Sequence, residues 1–258
     1  GSSRDSFSGY NISLEAKEIN QPFFIDDLED AGFNIIVPFY LLQENGFKLL
    51  QENASGILLD PPAPLQLVAD YQFNNNLIDS VGGNNGTGTN ISYNVGAYGN
   101  EAVFNGSTSE VRTPNSTVWD ISNGTNDIPI KIEVIVKFGV QNNQYVLAKC
   151  PSNNTGWELI KFGTKVYMSI YDGLQQLQIG CDVQIDSNGY SKIVVQYDGS
   201  GFFSGLDIQV NEISSGIVDG TSNYTSTGLL NTTTTFGRSD RKENNRLNGA
   251  ISQIKVYK

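Results

Sequence analysis

Beyond about residue 65 the chain runs in short apolar stretches set apart by clusters of Asn, Gly, Asp and Ser. Within the stretches apolar and polar residues alternate, as in Ile130-Lys131-Ile132-Glu133-Val134, which is the period of a strand with one buried face. Strands are predicted near Gln66–Phe73, Glu101–Phe104, Glu110–Thr113, Ile130–Phe138, Tyr145–Lys149, Trp157–Phe162, Lys165–Tyr171, Gln175–Cys181, Ser191–Tyr197, Leu206–Val210, Thr233–Phe236 and Gly249–Tyr257. The separators, such as Gly82-Gly83-Asn84-Asn85-Gly86 and Asp198-Gly199-Ser200-Gly201, are built from residues that turn a chain. Gly takes positive φ without a clash, and Asn and Asp side chains bond their own backbone. Many short strands and no sustained helical period predict an all-β fold, a two-sheet jelly-roll sandwich. Phe104, Ile135, Val195 and Val256 are expected in its core.

Residues 1–60 follow another rule. Leu41-Leu42-Gln43-Glu44-Asn45 recurs as Leu49-Leu50-Gln51-Glu52-Asn53, and Ile57-Leu58-Leu59-Asp60 opens a third round. Each round reads as one short strand and one turn, with Asn45-Gly46 supplying a tight corner. Strands this short bury too little surface to stand alone, so the repeat needs something to pack on. Residues 1–60 are therefore read as an assembly or docking arm that acts through Leu41, Leu42, Leu49, Leu50, Leu58 and Leu59. A homo-oligomer is expected, with a trimer favoured; the alternative is a hairpin packed on its own domain. Pro61, Pro62 and Pro64 make 61–64 a stiff spacer, leaving 65–258 as the jelly roll.

Composition narrows the chemistry. A net charge of −11 without any basic patch argues against nucleic acid, whose phosphates call for concentrated Lys and Arg. No apolar run approaches a membrane span, so no membrane insertion is expected. The chain has no histidine, which excludes Ser-His-Asp and Cys-His catalysis and any imidazole-bound metal. Glycoside hydrolysis needs only two carboxylates, yet neither Glu133 nor Glu158 has a second acid two or four residues later on its strand. The chain is read as no enzyme. Cys150 and Cys181 are two thiols that pair or stay free. A sugar site needs aromatic faces with planar hydrogen-bonding groups. Trp119 with Asp120, Tyr171 with Asp172, Tyr224, and Arg238, Asp240 and Arg241 in one loop meet that need, although packing or plain surface duty also explains each.

Five segments carry a resemblance. "ADYQFNNNLIDSVGGNNGT" (69–87), "GNEAVFNGSTSEVRTP" (99–114), "KIEVIVKF" (131–138), "YSKIVVQYDGSG" (190–201) and "TTFGRSDRKENNRLNGAISQIKVYK" (234–258) resemble, in order, the strands of laminin G-like domains of the concanavalin A-like superfamily. Ile135 stands where that family usually has tryptophan. The resemblance implies a lectin-type jelly roll that binds cell-surface or environmental glycans. It also implies calcium at a loop rim, for which Asp79, Asp198 and Asp240 lie in suitable loops. Turn-forming and capping explain each of those acids equally well, and no ligand set is assigned. The Leu-Leu-Gln-Glu-Asn-Gly repeat is similar to short repeats of tailed-bacteriophage structural proteins. That second resemblance implies a virion-surface protein, a head decoration, head fibre or tail adhesin, whose arm contacts other virion proteins. The alternatives are a bacterial secreted or cell-surface carbohydrate-binding module, extracellular in location, and a purely architectural capsid protein.

Overall fold

The computed structural model describes residues 49–51, 57–59 and 64–258, the last range apart from 152, 215–216, 221–223 and 243. The chain divides into two compact units, Gly1–Asp60 and Pro61–Lys258. In the first, β1 (Leu49–Gln51) pairs antiparallel with β2 (Ile57–Leu59), Leu50 opposite Leu58. These strands are the second and third rounds of the repeat. Leu41 and Leu42, of the first round, lie outside the described residues.

The second unit is a sandwich of two antiparallel sheets. In chain order its strands are β3 (Leu67–Tyr71), β4 (Thr87–Thr89), β5 (Ser92–Gly96), β6 (Gly99–Asn105), β7 (Glu110–Arg112) and β8 (Ile130–Phe138). Then come β9 (Asn143–Lys149), β10 (Thr155–Phe162), β11 (Lys165–Asp172), β12 (Gln176–Asp182), β13 (Ser191–Tyr197) and β14 (Leu206–Val210). The last are β15 (Ile213–Ser214), β16 (Ile217–Gly220), β17 (Thr235–Phe236) and β18 (Asn248–Tyr257). One sheet has the order β15-β14-β13-β8-β18-β6-β5, with β3 also paired to β18; the other runs β16-β12-β11-β10-β9-β17-β7-β4. We call them the β8 sheet and the β10 sheet.

Alternation decides which side of each strand faces inward. On β8, Ile130, Ile132, Val134 and Val136 are buried while the residues between them are not. On β10, Trp157 and Leu159 enter the core; on β11, Val166, Met168 and Ile170 do so. Tyr71, Phe73, Trp119, Trp157 and Phe236 form an aromatic centre, with Tyr71 edge-on to Phe236 at 5.2 Å and Trp119 stacked with Trp157 at 6.4 Å. Burial of rings this large, at ~25 cal/mol per Å² of apolar surface, is the main force closing the sandwich. Phe104, Val195 and Val256 belong to this core. Ile135 does not: it occupies an outward position of β8, one residue out of phase with Val134 and Val136, and is only half-buried. Cys150 and Cys181 are both free, buried thiols.

Candidate functional site

Two-residue alternation also places polar groups on the outer face of the β10 sheet. Glu158 lies between the core residues Trp157 and Leu159, so it points outward, with Ala148 and Ser169 as its neighbours across the strands. It is nevertheless fully buried, because the loop after β17 folds over it. Ser239 Oγ donates to one carboxylate oxygen of Glu158. Arg241 donates to the other from Nη2 at 2.6 Å and from Nε at 3.1 Å. Gly237, at φ +80°, turns the chain into this loop, and a side chain there would run into the Phe104 ring.

Arg241 is held from three sides. Its Nη2 also donates to the Tyr171 hydroxyl at 2.9 Å, and its guanidinium lies over the Tyr171 ring at 4.4 Å. Burial would lower the Arg241 pKa, but the Glu158 carboxylate outweighs it and keeps the guanidinium charged. Burial, followed by the Glu158 charge, pushes the Tyr171 hydroxyl up, and the same two causes push Tyr145 up to about 12. Both phenols therefore stay protonated near neutrality.

A second charge network continues along the same face. Arg112 grips Asp240 with two bonds, at 2.8 and 3.0 Å, and bonds Glu110 at 3.0 Å. Arg238 joins Glu110 at 2.5 Å and Asp240 at 2.9 Å, and Arg246 reaches Glu110 at 3.0 Å. Burial alone would raise the Glu110 carboxyl, but the hydrogen bonds and charges of Arg238 and Arg112 hold it down at about 2.

Beside Arg241 the face opens into a cleft of about 300 Å³, lined by Asn154, Tyr171, Gly173, Leu174, Gln175, Gln176 and Arg241. Two turns shape it. Asn154 sits at φ +59° just before β10, and Gly156 follows at φ +104°. A side chain on Gly156 would come within 2.0 Å of the Lys149 carbonyl, so glycine is required where β10 meets β9. Across the cleft, Asp172 fixes the β11–β12 turn by accepting from the Leu174 and Gln175 amides at 2.9 and 2.7 Å. A second cleft, of about 240 Å³, lies on the β8 sheet between Glu101, Lys137 and Asn248.

The structure brings Tyr171, Arg241, Arg238 and Asp240 together on this face, with Asp172 at the cleft's edge, and draws Trp119, Asp120 and Tyr224 away from it. Trp119 is 0% exposed in the core, with no ring face open to a ligand. Asp120, beside it, pairs with the fully buried Lys149 at 2.8 Å. The Tyr224 hydroxyl bonds Asp127 at 2.5 Å. Asp172 spends both oxygens on Leu174, Gln175 and Thr225 and frames the cleft as a turn. Sequence reasoning missed Asn154, Gln175 and Gln176, and weighed Glu158 only as a hydrolytic acid, not as the anchor of Arg241. Glu158 had a signal: it is the one acid in Thr155–Phe162, at a position out of phase with Trp157 and Leu159.

The acids considered for calcium do not suit a cation. Asp79 accepts from the amides of Asp70, Val81 and Gly82 on one oxygen and from Asn84 twice on the other, so its lone pairs already face donors. Asp240 lies between two guanidinium groups. Asp198 caps the Ser200 amide at 2.8 Å. Among the described residues no three acids or cysteines gather as a metal group.

No family model matches the chain, and no curated protein matches it in sequence. Solved structures do match in shape. Domain 4 of AbnA, a GH43 extracellular arabinanase from Geobacillus stearothermophilus, in complex with arabinotriose, is 20% identical at a TM-score of 0.56, covering 76% of this chain and 94% of that one. The receptor binding domain of botulinum neurotoxin D is 14% identical at 0.55, over 74% of this chain and 48% of that one. The binding domain of the C/D mosaic serotype is 12% identical at 0.53. The chain thus spans about half the length of the toxin domains it matches. At these identities the likeness lies in the fold, and that fold is the two-sheet antiparallel β-sandwich.

Proposed function

We propose that residues 65–258 form a non-catalytic glycan-binding module and that the cleft beside Tyr171 and Arg241 is its site. The observation that carries this reading is the preorganisation of the cleft wall. Arg241 is fixed by Glu158 and Tyr171 through Nε and Nη2 before any ligand arrives, so its Nη1 edge meets a sugar without further ordering. The amides of Asn154, Gln175 and Gln176 add the planar donors and acceptors that sugar hydroxyls pair with. A sandwich of the same fold that holds arabinotriose supports the glycan reading by analogy of fold. The acids on this face argue for binding rather than hydrolysis. Glu110 is held ionised by arginines, and Glu158 is sealed beneath Arg241 and Ser239, so neither is placed to protonate a leaving group.

The finer setting is also part of the proposal. A virion surface, with residues 1–60 contacting other virion proteins and a trimer multiplying weak sugar contacts, rests on the leucine repeat. A bacterial extracellular carbohydrate-binding module is the alternative, and the arabinanase domain of like fold favours it. Calorimetry of the full chain against arabino-, galacto- and gluco-oligosaccharides tests the core reading. We expect measurable binding that falls about tenfold when Gln175 and Gln176 are both replaced by Ala. If a broad panel of neutral and acidic oligosaccharides gives no heat, the reading is wrong. Light scattering on the full chain separates the settings: a trimer supports the virion arm, a monomer the module.

A further inference from the structure

The protein carries a net charge of −11, yet the cleft beside Arg241 is lined by no acid at all. Its one charged lining group is the Arg241 guanidinium, accompanied by the amides Asn154, Gln175 and Gln176. Nε and Nη2 of that guanidinium are spent on Glu158 and Tyr171, and the Tyr145 hydroxyl also bonds the guanidinium. Nη1 has a different environment: its contact with Asn154 Oδ1 is 3.5 Å long, at the outer limit of a hydrogen bond. The one acid at the rim, Asp172, has its oxygens occupied by the backbone amides of Leu174, Gln175 and Thr225.

Resting on the glycan-binding reading above, we infer that this cleft selects a carboxylate-bearing sugar, a uronic acid unit, whose carboxylate is received by Arg241 Nη1 and the neighbouring amides. A charge-assisted bond to a guanidinium is about twice as strong as a neutral one. Arg241 is already ordered by Glu158, so little is lost in fixing it. Long-range repulsion from the acidic surface is screened within about 10 Å at ordinary salt, so the local donor set decides which sugar is held. The Leu174 side chain, 92% exposed at the cleft edge, offers apolar contact to the C–H face of the ring.

The test compares trigalacturonate with the matched neutral galactotriose by calorimetry on the full chain. The acidic probe is expected to bind about tenfold tighter at about 0.1 M salt, where the long-range repulsion is screened, and that ratio to shrink as salt rises to about 0.5 M. Asn154→Asp then places a carboxylate beside Nη1 and should bring the ratio between the probes to about one, with no loss in the thermal midpoint. Asn154→Lys, adding a cation at the same exposed place, should raise the ratio. Equal affinity for the two probes in the wild type, or a ratio that Asn154→Asp leaves untouched, would overturn the inference alone. Silence from both probes and from the wider panel would remove the glycan reading with it.

Discussion

Two fully buried charges stand one residue apart across the paired strands β9 and β10, on opposite faces of the sheet. Lys149 faces inward opposite Trp157, and Glu158 faces outward opposite Ala148. The inward charge is closed off completely. Asp120, 5% exposed at its side chain, meets Lys149 at 2.8 Å, and Asn115 and the Ser116 carbonyl take its remaining protons at 3.2 and 2.8 Å. The outward charge is also satisfied, but its partner Arg241 reaches the surface and keeps one edge in the cleft. The same fold thus uses one ion pair to bind a loop to the core and the other to aim a cation at solvent. Burial of a charge says little about role; where its partner ends says more.

That contrast can be broken by measurement. Lys149→Met leaves Asp120 buried without its cation, and urea unfolding should show a loss of about 3–5 kcal/mol. Sugar affinity of the folded fraction should not change. Glu158→Gln should cost less, about 2 kcal/mol, because Arg241 can turn to water, but it should weaken sugar binding about tenfold by releasing the cleft wall. If Glu158→Gln proves the more damaging to stability, the two pairs do the same job. The smallest effect is the pH dependence from the neighbouring network. Glu110 is depressed to about 2 from 4.5, so its stabilisation is complete above about pH 4.5 and disappears as pH falls towards 2. Acid titration of stability should lose on the order of 2 kcal/mol across that window, and Glu110→Gln should flatten it.

The interior of the sandwich was legible in the sequence because core strands carry apolar alternation. β8, β13 and β14 begin and end where the pattern predicts. Four strands were not seen: β4, β5, β15 and β16, which are the outermost strands of the two sheets. Edge strands pair on one side only, and Thr87–Thr89 and Ser92–Gly96 bury no side chain fully, so they have no apolar period to read. Among candidate site residues, Tyr171 and Arg241 could be proposed from type and loop position. Trp119 could not be separated from them, since an aromatic before an acid reads the same whether it faces a ligand or the core. Only the packing of Tyr71, Trp157 and Phe236 around Trp119 distinguishes the two. The cleft amides escaped notice because Asn and Gln are common along this chain, and nothing local marks those that β11 and β12 gather beside Arg241.

The sandwich begins and ends at one place. β3 and β18 are antiparallel partners, and Gln66 and Lys258 exchange backbone hydrogen bonds at 2.5 and 2.9 Å. A pull that separates these two residues would part the ladder one rung at a time, like a zip, rather than shear many rungs at once. A pull along the length of β3 against β18 would instead load many rungs at once. The mechanical resistance of this sandwich therefore depends on direction: it yields readily to a pull that parts its two ends and firmly to one along the strands.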